Sequence, residues 1–127
     1  MDSGEKFSHY SNIRINYRIW MSSSTGENIL DDEIWALLKA IDESNSLRAG
    51  AQKLGISYRK AWGDLVNAEK LLGFTLIDKQ RGGALGGVTM LNEEGKRFVK
   101  TYSEFHRQFQ EAVNQIIISL KKSLKNG

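Results

Sequence analysis

The chain has 127 residues, 40% of them hydrophobic and 26% charged, with a formal net charge of +3 from 18 basic and 15 acidic side chains. That is one domain's worth of sequence with an ordinary globular balance, which excludes a disordered or multidomain reading. Cysteine and proline are absent, which removes disulfides, thiolate catalysis, cysteine-ligated metals and proline-rich linkers, and suits long unbroken helices.

No segment approaches the ~20 apolar residues that span a bilayer, and the start, Met1-Asp2-Ser3-Gly4-Glu5-Lys6, does not resemble a signal peptide. No membrane partner and a cytoplasmic location are expected. Charge is unevenly placed. Residues 28–45 carry Asp31, Asp32, Glu33, Asp42 and Glu43 against Lys39 alone, whereas residues 46–62 carry Arg48, Lys53, Arg59 and Lys60 with no acid. One face of the molecule is therefore suited to an anion.

Residues 1–11 lack periodicity and are expected to form a flexible tail, with a single domain over 12–127. From Ile13 the pattern alternates: Ile13, Ile15, Tyr17 and Ile19 oppose Arg14, Asn16, Arg18 and Trp20, which predicts a half-buried strand. The run Ser22-Ser23-Ser24-Thr25-Gly26 predicts a turn, with Glu27 to Leu30 returning as a short partner strand.

Leu30, Ile34, Leu37, Leu38 and Ile41 then recur at the helical period, with Asp31, Asp32 and Glu33 at the first turn and Asn45 as a left-handed stop. Ser46 caps a second, short helix through Leu47, Ala51 and Leu54 that Gly55 terminates. Gly50 costs that helix about 1 kcal/mol of propensity relative to alanine, which implies low stability or unusually close packing. Ser57 caps a third helix, with Ile56 as hydrophobic staple and Ala61, Leu65, Ala68 and Leu72 inward, ending at Gly73. Helix, short glycine-containing turn, helix is the sequence form of a helix-turn-helix.

Two strand-like runs follow, Thr75 to Gln80 and Val88 to Leu91, joined by Arg81-Gly82-Gly83-Ala84-Leu85-Gly86-Gly87. A hairpin with so little side-chain bulk at its tip, directly after the third helix, is a wing over about 75–91. Asn92 caps a last helix over about 93–124, about 48 Å long. Its positions Phe98, Tyr102, Phe105, Phe109, Ala112 and Ile116 form a heptad seam. One small domain cannot cover a seam of that length, so a dimer interface is expected there. The fold class is thus mainly α with small β: a winged helix-turn-helix with an N-terminal strand or hairpin and a long C-terminal dimerisation helix.

Ser57-Tyr58-Arg59-Lys60-Ala61-Trp62, Glu69, Gly73, the glycine-rich wing and Leu91-Asn92-Glu93-Glu94-Gly95 together resemble the N-terminal DNA-binding domain of ModE-type, molybdate-responsive regulators. A wider likeness is to the winged domain of LysR-type regulators. The resemblance covers about residues 12–110. It implies a homodimeric bacterial transcription regulator whose recognition helix begins at Ser57. The chain differs from the family in having Leu91-Asn92 where Leu-Thr is usual, and Arg48 and Gly50 where small residues are usual. The ligand-binding module of the full-length regulators does not follow within these 127 residues, so no molybdate binding is expected of this chain.

The residues themselves point the same way. A helix N-terminus attracts anions, and Ser57, Tyr58, Arg59 and Lys60 add hydroxyls and cations for base edges and flanking phosphates in a major groove. Arg48 can reach a phosphate from the start of the second helix. Lys79 and Arg81 lead into the thin Gly82-Gly83 tip, where a backbone or minor-groove contact is expected. Trp62 is expected to pack in the core rather than against the sugar-phosphate, and Trp20 and Trp35 to be structural.

No enzyme, cofactor or metal reading is supported. His9 and His106 have no ligand spacing, the glycine loop lacks the ending of a P-loop, and no nucleophile lies beside a base in any known pattern. The expected function is sequence-specific duplex DNA binding by a homodimer that regulates transcription. Two alternatives stand beside it: a winged-helix protein-interaction module, and a DNA-binding subunit whose effector sensing lies in a separate partner.

Overall fold

The computed structural model describes residues 12–80 and 88–126. In chain order the elements are β1 (Met21–Ser22), β2 (Asn28–Leu30), α1 (Asp32–Ser44), α2 (Leu47–Leu54), α3 (Tyr58–Leu72), β3 (Ile77–Gln80), β4 (Val88–Leu91) and α4 (Glu93–Asn126). Of the described residues, those within 19–103 form one compact unit, and 12–18 with 104–126 form a second.

Each helix of the larger unit starts at a side-chain cap. Asp31 accepts the Ile34 N–H at 2.9 Å, Ser46 the Ala49 N–H at 3.0 Å, Ser57 the Lys60 N–H at 3.0 Å, and Asn92 the Gly95 N–H at 2.8 Å. Each satisfies one of the amides that a helix start leaves unpaired. Asn45, Gly55 and Gly73 end α1, α2 and α3 in the left-handed conformation. The inward stripes converge on one core in which Leu30, Leu37, Leu38, Ile41, Leu47, Leu65 and Leu76 are essentially fully buried. Each such side chain contributes about 1.5–3 kcal/mol of burial. Leu30 reaches that core from β2 rather than from the helix.

The strand expected over 13–20 is not formed. Antiparallel pairing begins only at Met21, opposite Leu30, and the three residues of β2 offer no ladder to residues upstream. An extended run without a partner cannot pair its backbone groups as a strand does. The Ile19 carbonyl instead lies 3.1 Å from the Tyr102 hydroxyl. The turn that closes β1 on β2 does form, with Gly26 N–H donating to the Ser23 carbonyl at 3.0 Å.

β3 and β4 pair antiparallel from Ile77 opposite Leu91 to Gln80 opposite Val88. The ladder starts two residues later than Thr75, because the groups there are used elsewhere. Asn92 Nδ2 donates to the Thr75 carbonyl at 2.9 Å, Leu76 N–H donates to Glu69 Oε2 at 2.6 Å, and the Leu76 carbonyl accepts from Asn92 N–H at 3.0 Å. The loop residues 81–87, with Arg81, Gly82 and Gly83, lie outside the described residues.

Candidate nucleic-acid interface

The turn Gly55-Ile56-Ser57 sets α3 after α2, with Ile56 half-buried against the core and its N–H on the Ala51 carbonyl at 3.0 Å. Ala61, Leu65 and Ala68 hold the inner face of α3 in the core. Ser57, Tyr58, Arg59 and Lys60 stand exposed at its start. Arg48, at the start of α2, lays its guanidinium 4.8 Å from the centroid of the Tyr58 ring. This cation–π contact brings two of the expected site residues together across the helix-turn-helix. Arg59 makes no ion pair or hydrogen bond among the described residues, which leaves its five donors available.

Lys60 stands differently. Its ammonium lies 2.8 Å from Glu33 Oε1 of α1 and 2.8 Å from Asp64 Oδ2 of its own helix. Hydrogen bonds to Asp64 and then Glu33 raise its pKa well above the ordinary lysine value. Lys53, in the same basic stretch, is paired with Glu43 at 2.9 Å. The anion-facing run of sequence is thus half neutralised by carboxylates of the acidic run before it. The Asp64 contact was readable from i,i+4 spacing; the Glu33 contact has no local signal.

Lys79 of β3 lies 3.4 Å above the Trp62 ring centroid, so the wing's expected backbone contact is docked on α3. Trp62 itself is half-buried against the core, as expected. Trp35 is structural, its indole N–H donating to Ser103 Oγ at 2.9 Å, whereas Trp20 is 55% exposed.

The expected dimer seam divides. Phe98 packs against the core, 6.0 Å from the Phe74 ring, and Tyr102 is buried with its hydroxyl donating to Asp32 Oδ1 at 2.7 Å. Burial, then the Asp32 carboxylate, push the Tyr102 phenol well above its usual pKa. Both side chains serve the larger unit. Phe105, Phe109 and Ile116 are 48%, 50% and 60% exposed, and Ala112 is exposed with them.

Among the described residues no helix is long and apolar enough to cross a membrane, and no three His, Cys, Asp or Glu side chains cluster as a metal site.

A helix-turn-helix followed by a two-stranded hairpin and a long helix defines the class: the fold is a winged helix-turn-helix. The ModE and MopB proteins, molybdenum-related regulators, are homologues of this chain over their N-terminal part. The molybdenum transport protein ModE of Azotobacter vinelandii is 28% identical over 99 residues, which are 78% of this chain and 36% of that protein. The molybdenum-pterin-binding protein MopB of Rhodobacter capsulatus is 30% identical over 89 residues, 70% of this chain and 32% of that protein. The DNA-binding transcriptional dual regulator ModE of Escherichia coli K12 is 36% identical over 67 residues, 53% of this chain and 26% of that protein. The chain therefore spans about a third of the length of the relatives it matches. No family model matches it. Among solved structures, the BenM DNA-binding domain in complex with catB site 1 DNA is 22% identical with a TM-score of 0.48, over 77% of this chain and 98% of that one.

Proposed function

We propose that this chain binds duplex DNA in a sequence-specific manner as a homodimer and so regulates transcription. The observation that carries the reading is the exposed start of α3, where Arg59 has no ion pair or hydrogen bond among the described residues and stands beside the Arg48–Tyr58 pair. A helix start with free guanidinium donors matches the fork of acceptors that a guanine edge shows in the major groove. Ser57 and Tyr58 supply hydroxyls for flanking phosphates, and Lys79, with Arg81, Gly82 and Gly83 beyond it, supplies the wing contact. The Escherichia coli relative named a DNA-binding transcriptional dual regulator supports the same reading. Exposed apolar side chains on α4, with Phe109 at the centre, support pairing with a second copy.

Selection of binding sites from a random duplex pool tests it. A two-fold symmetric site should emerge, because a homodimer presents two equal recognition helices. Arg59→Ala should then cost about 1–3 kcal/mol on the selected site and relax preference at one position. A pool that returns unenriched, with the protein folded, removes the DNA reading.

A further inference from the structure

The Glu33–Lys60–Asp64 cluster is a charged feature at the start of α3 that base reading does not use. Lys60 is one residue beyond Arg59, in the first turn, where a lysine would ordinarily anchor a DNA phosphate. Here both of its near neighbours are carboxylates at 2.8 Å, one from α1 and one from the next turn of α3. One positive and two negative charges leave the trio net negative. A phosphate approaching Lys60 must displace two carboxylates and meet both of them. Arg59 and Arg48 have no carboxylate partner among the described residues, so the contrast lies within one surface.

Non-specific DNA binding comes from cations that release counterions at phosphates, whichever sequence is present. Such contacts add about equally at every sequence, so each one withheld lowers the affinity for bulk DNA and leaves base contacts to carry the difference between sites. We infer that Glu33 and Asp64 withhold Lys60 from the DNA backbone, and so lower the sequence-independent affinity of the α3 start for duplex DNA while Arg59 reads bases. This rests on the DNA-binding reading above. The acidic first turn of α1 then has a second use beyond its favourable place at a helix N-terminus.

The test uses the whole chain and one mixed-sequence duplex, titrated over a salt series. The proteins are the parent, Lys60→Met, the double variant Glu33→Gln with Asp64→Asn, and the triple variant that combines all three. All three side chains are solvent-accessible, and thermal melts confirm folding. Lys60→Met should leave the parent's salt slope unchanged, with at most a small fall in affinity from the two carboxylates it bares. The double variant should bind more tightly at low salt, with a slope steeper by about 0.9, which is about threefold to fourfold more affinity lost between about 50 and 200 mM salt. The triple variant should return to the parent's slope, which separates a freed lysine from simple relief of repulsion.

A Lys60→Met slope shallower by about one unit means that Lys60 already holds a phosphate, and overturns the inference. So does a double variant no different from the parent, or a triple variant that keeps the gain. Parent protein that binds no duplex at low salt overturns the DNA reading itself, an outcome that the variants cannot imitate.

Discussion

At the scale of single residues, two glycines that look alike in sequence have opposite roles. A Cβ on Gly95 would lie 2.2 Å from the Leu76 carbonyl oxygen, an overlap with backbone that no rotamer can relieve. That carbonyl already accepts the Asn92 N–H, so the first turn of α4 is fixed against the approach to β3. Gly95→Ala should therefore cost about 1–3 kcal/mol, the range for overpacking a tight site. Gly50 faces the opposite case. Its Cβ would meet Leu37, Ala40 and Ile41 at 3.5 Å, ordinary contact, inside a helix that glycine weakens. Gly50→Ala should stabilise by about 0.5–1 kcal/mol. Unusually close packing, one of the two alternatives for α2, is therefore not what Gly50 provides, since an alanine methyl fits there at ordinary contact distance. Urea denaturation of both variants against the parent measures the pair. A stabilised Gly95→Ala protein would disprove the backbone clash. Asn92 does two things at once: its Oδ1 caps α4 at the Gly95 N–H while its Nδ2 donates to the Thr75 carbonyl.

At the scale of elements, the middle of α4 is laced by its own charges. Arg107 pairs with Glu104 one turn earlier and Glu111 one turn later. The Arg107 guanidinium, then Gln108, hold the Glu104 carboxyl down to about 2 from its ordinary 4.5. A carboxyl depressed in the folded state stabilises it fully above the unfolded value, and that contribution fades as pH falls from about 4.5 through about 2. Arg107→Ala should therefore cost stability at about pH 6 and almost none at about pH 2, while the Glu104 titration seen by carbon NMR moves up toward the ordinary range. A Glu104 midpoint unmoved by the substitution would show that Arg107 is not its cause. Helix bounds were legible in the sequence because their causes are local: Asp31, Ser46, Ser57 and Asn92 cap within three residues, and Asn45, Gly55 and Gly73 stop within one turn. The alternation from Ile13 to Ile19 misled because period 2 specifies a strand only where a partner exists, and β2 is too short to be one. The candidate site was legible in type but not in pairing. Glu33 meets Lys60 from 27 residues away, and Lys79 meets Trp62 across the start of the wing, contacts that only the packing of α1, α3 and β3 creates.

At the scale of the whole molecule, the outstanding quantity is apolar surface. The heptad seam read from Phe98 to Ile116 contributes its first two members to the core, yet Phe105, Phe109 and Ile116 are still about half exposed or more, and Ile118, Leu120 and Leu124 follow on the same helix. Each large side chain removed from water is worth about 1.5–3 kcal/mol, and a two-fold contact counts each of them twice. That sum has to exceed the entropy of association, which a few aromatic anchors at the centre of a helix pair can do. Light scattering at micromolar concentration should accordingly give about twice the 14.4 kDa of one chain. Phe109→Asp places a carboxylate in the middle of the seam at a cost of several kcal/mol, and should return the mass to that of one chain. Because Phe109 is outside the core of the helix-turn-helix, the variant should keep the parent's helical content and its thermal transition for that unit. It should also lose much of its affinity for a two-half-site duplex while keeping that for a single half-site, since only the link between the two recognition helices has been cut. A parent that runs as a monomer with α4 intact would refute the seam. A Phe109→Asp protein that stays dimeric would move the interface to the apolar side chains beyond Ile116, where Leu120→Asp becomes the discriminating change.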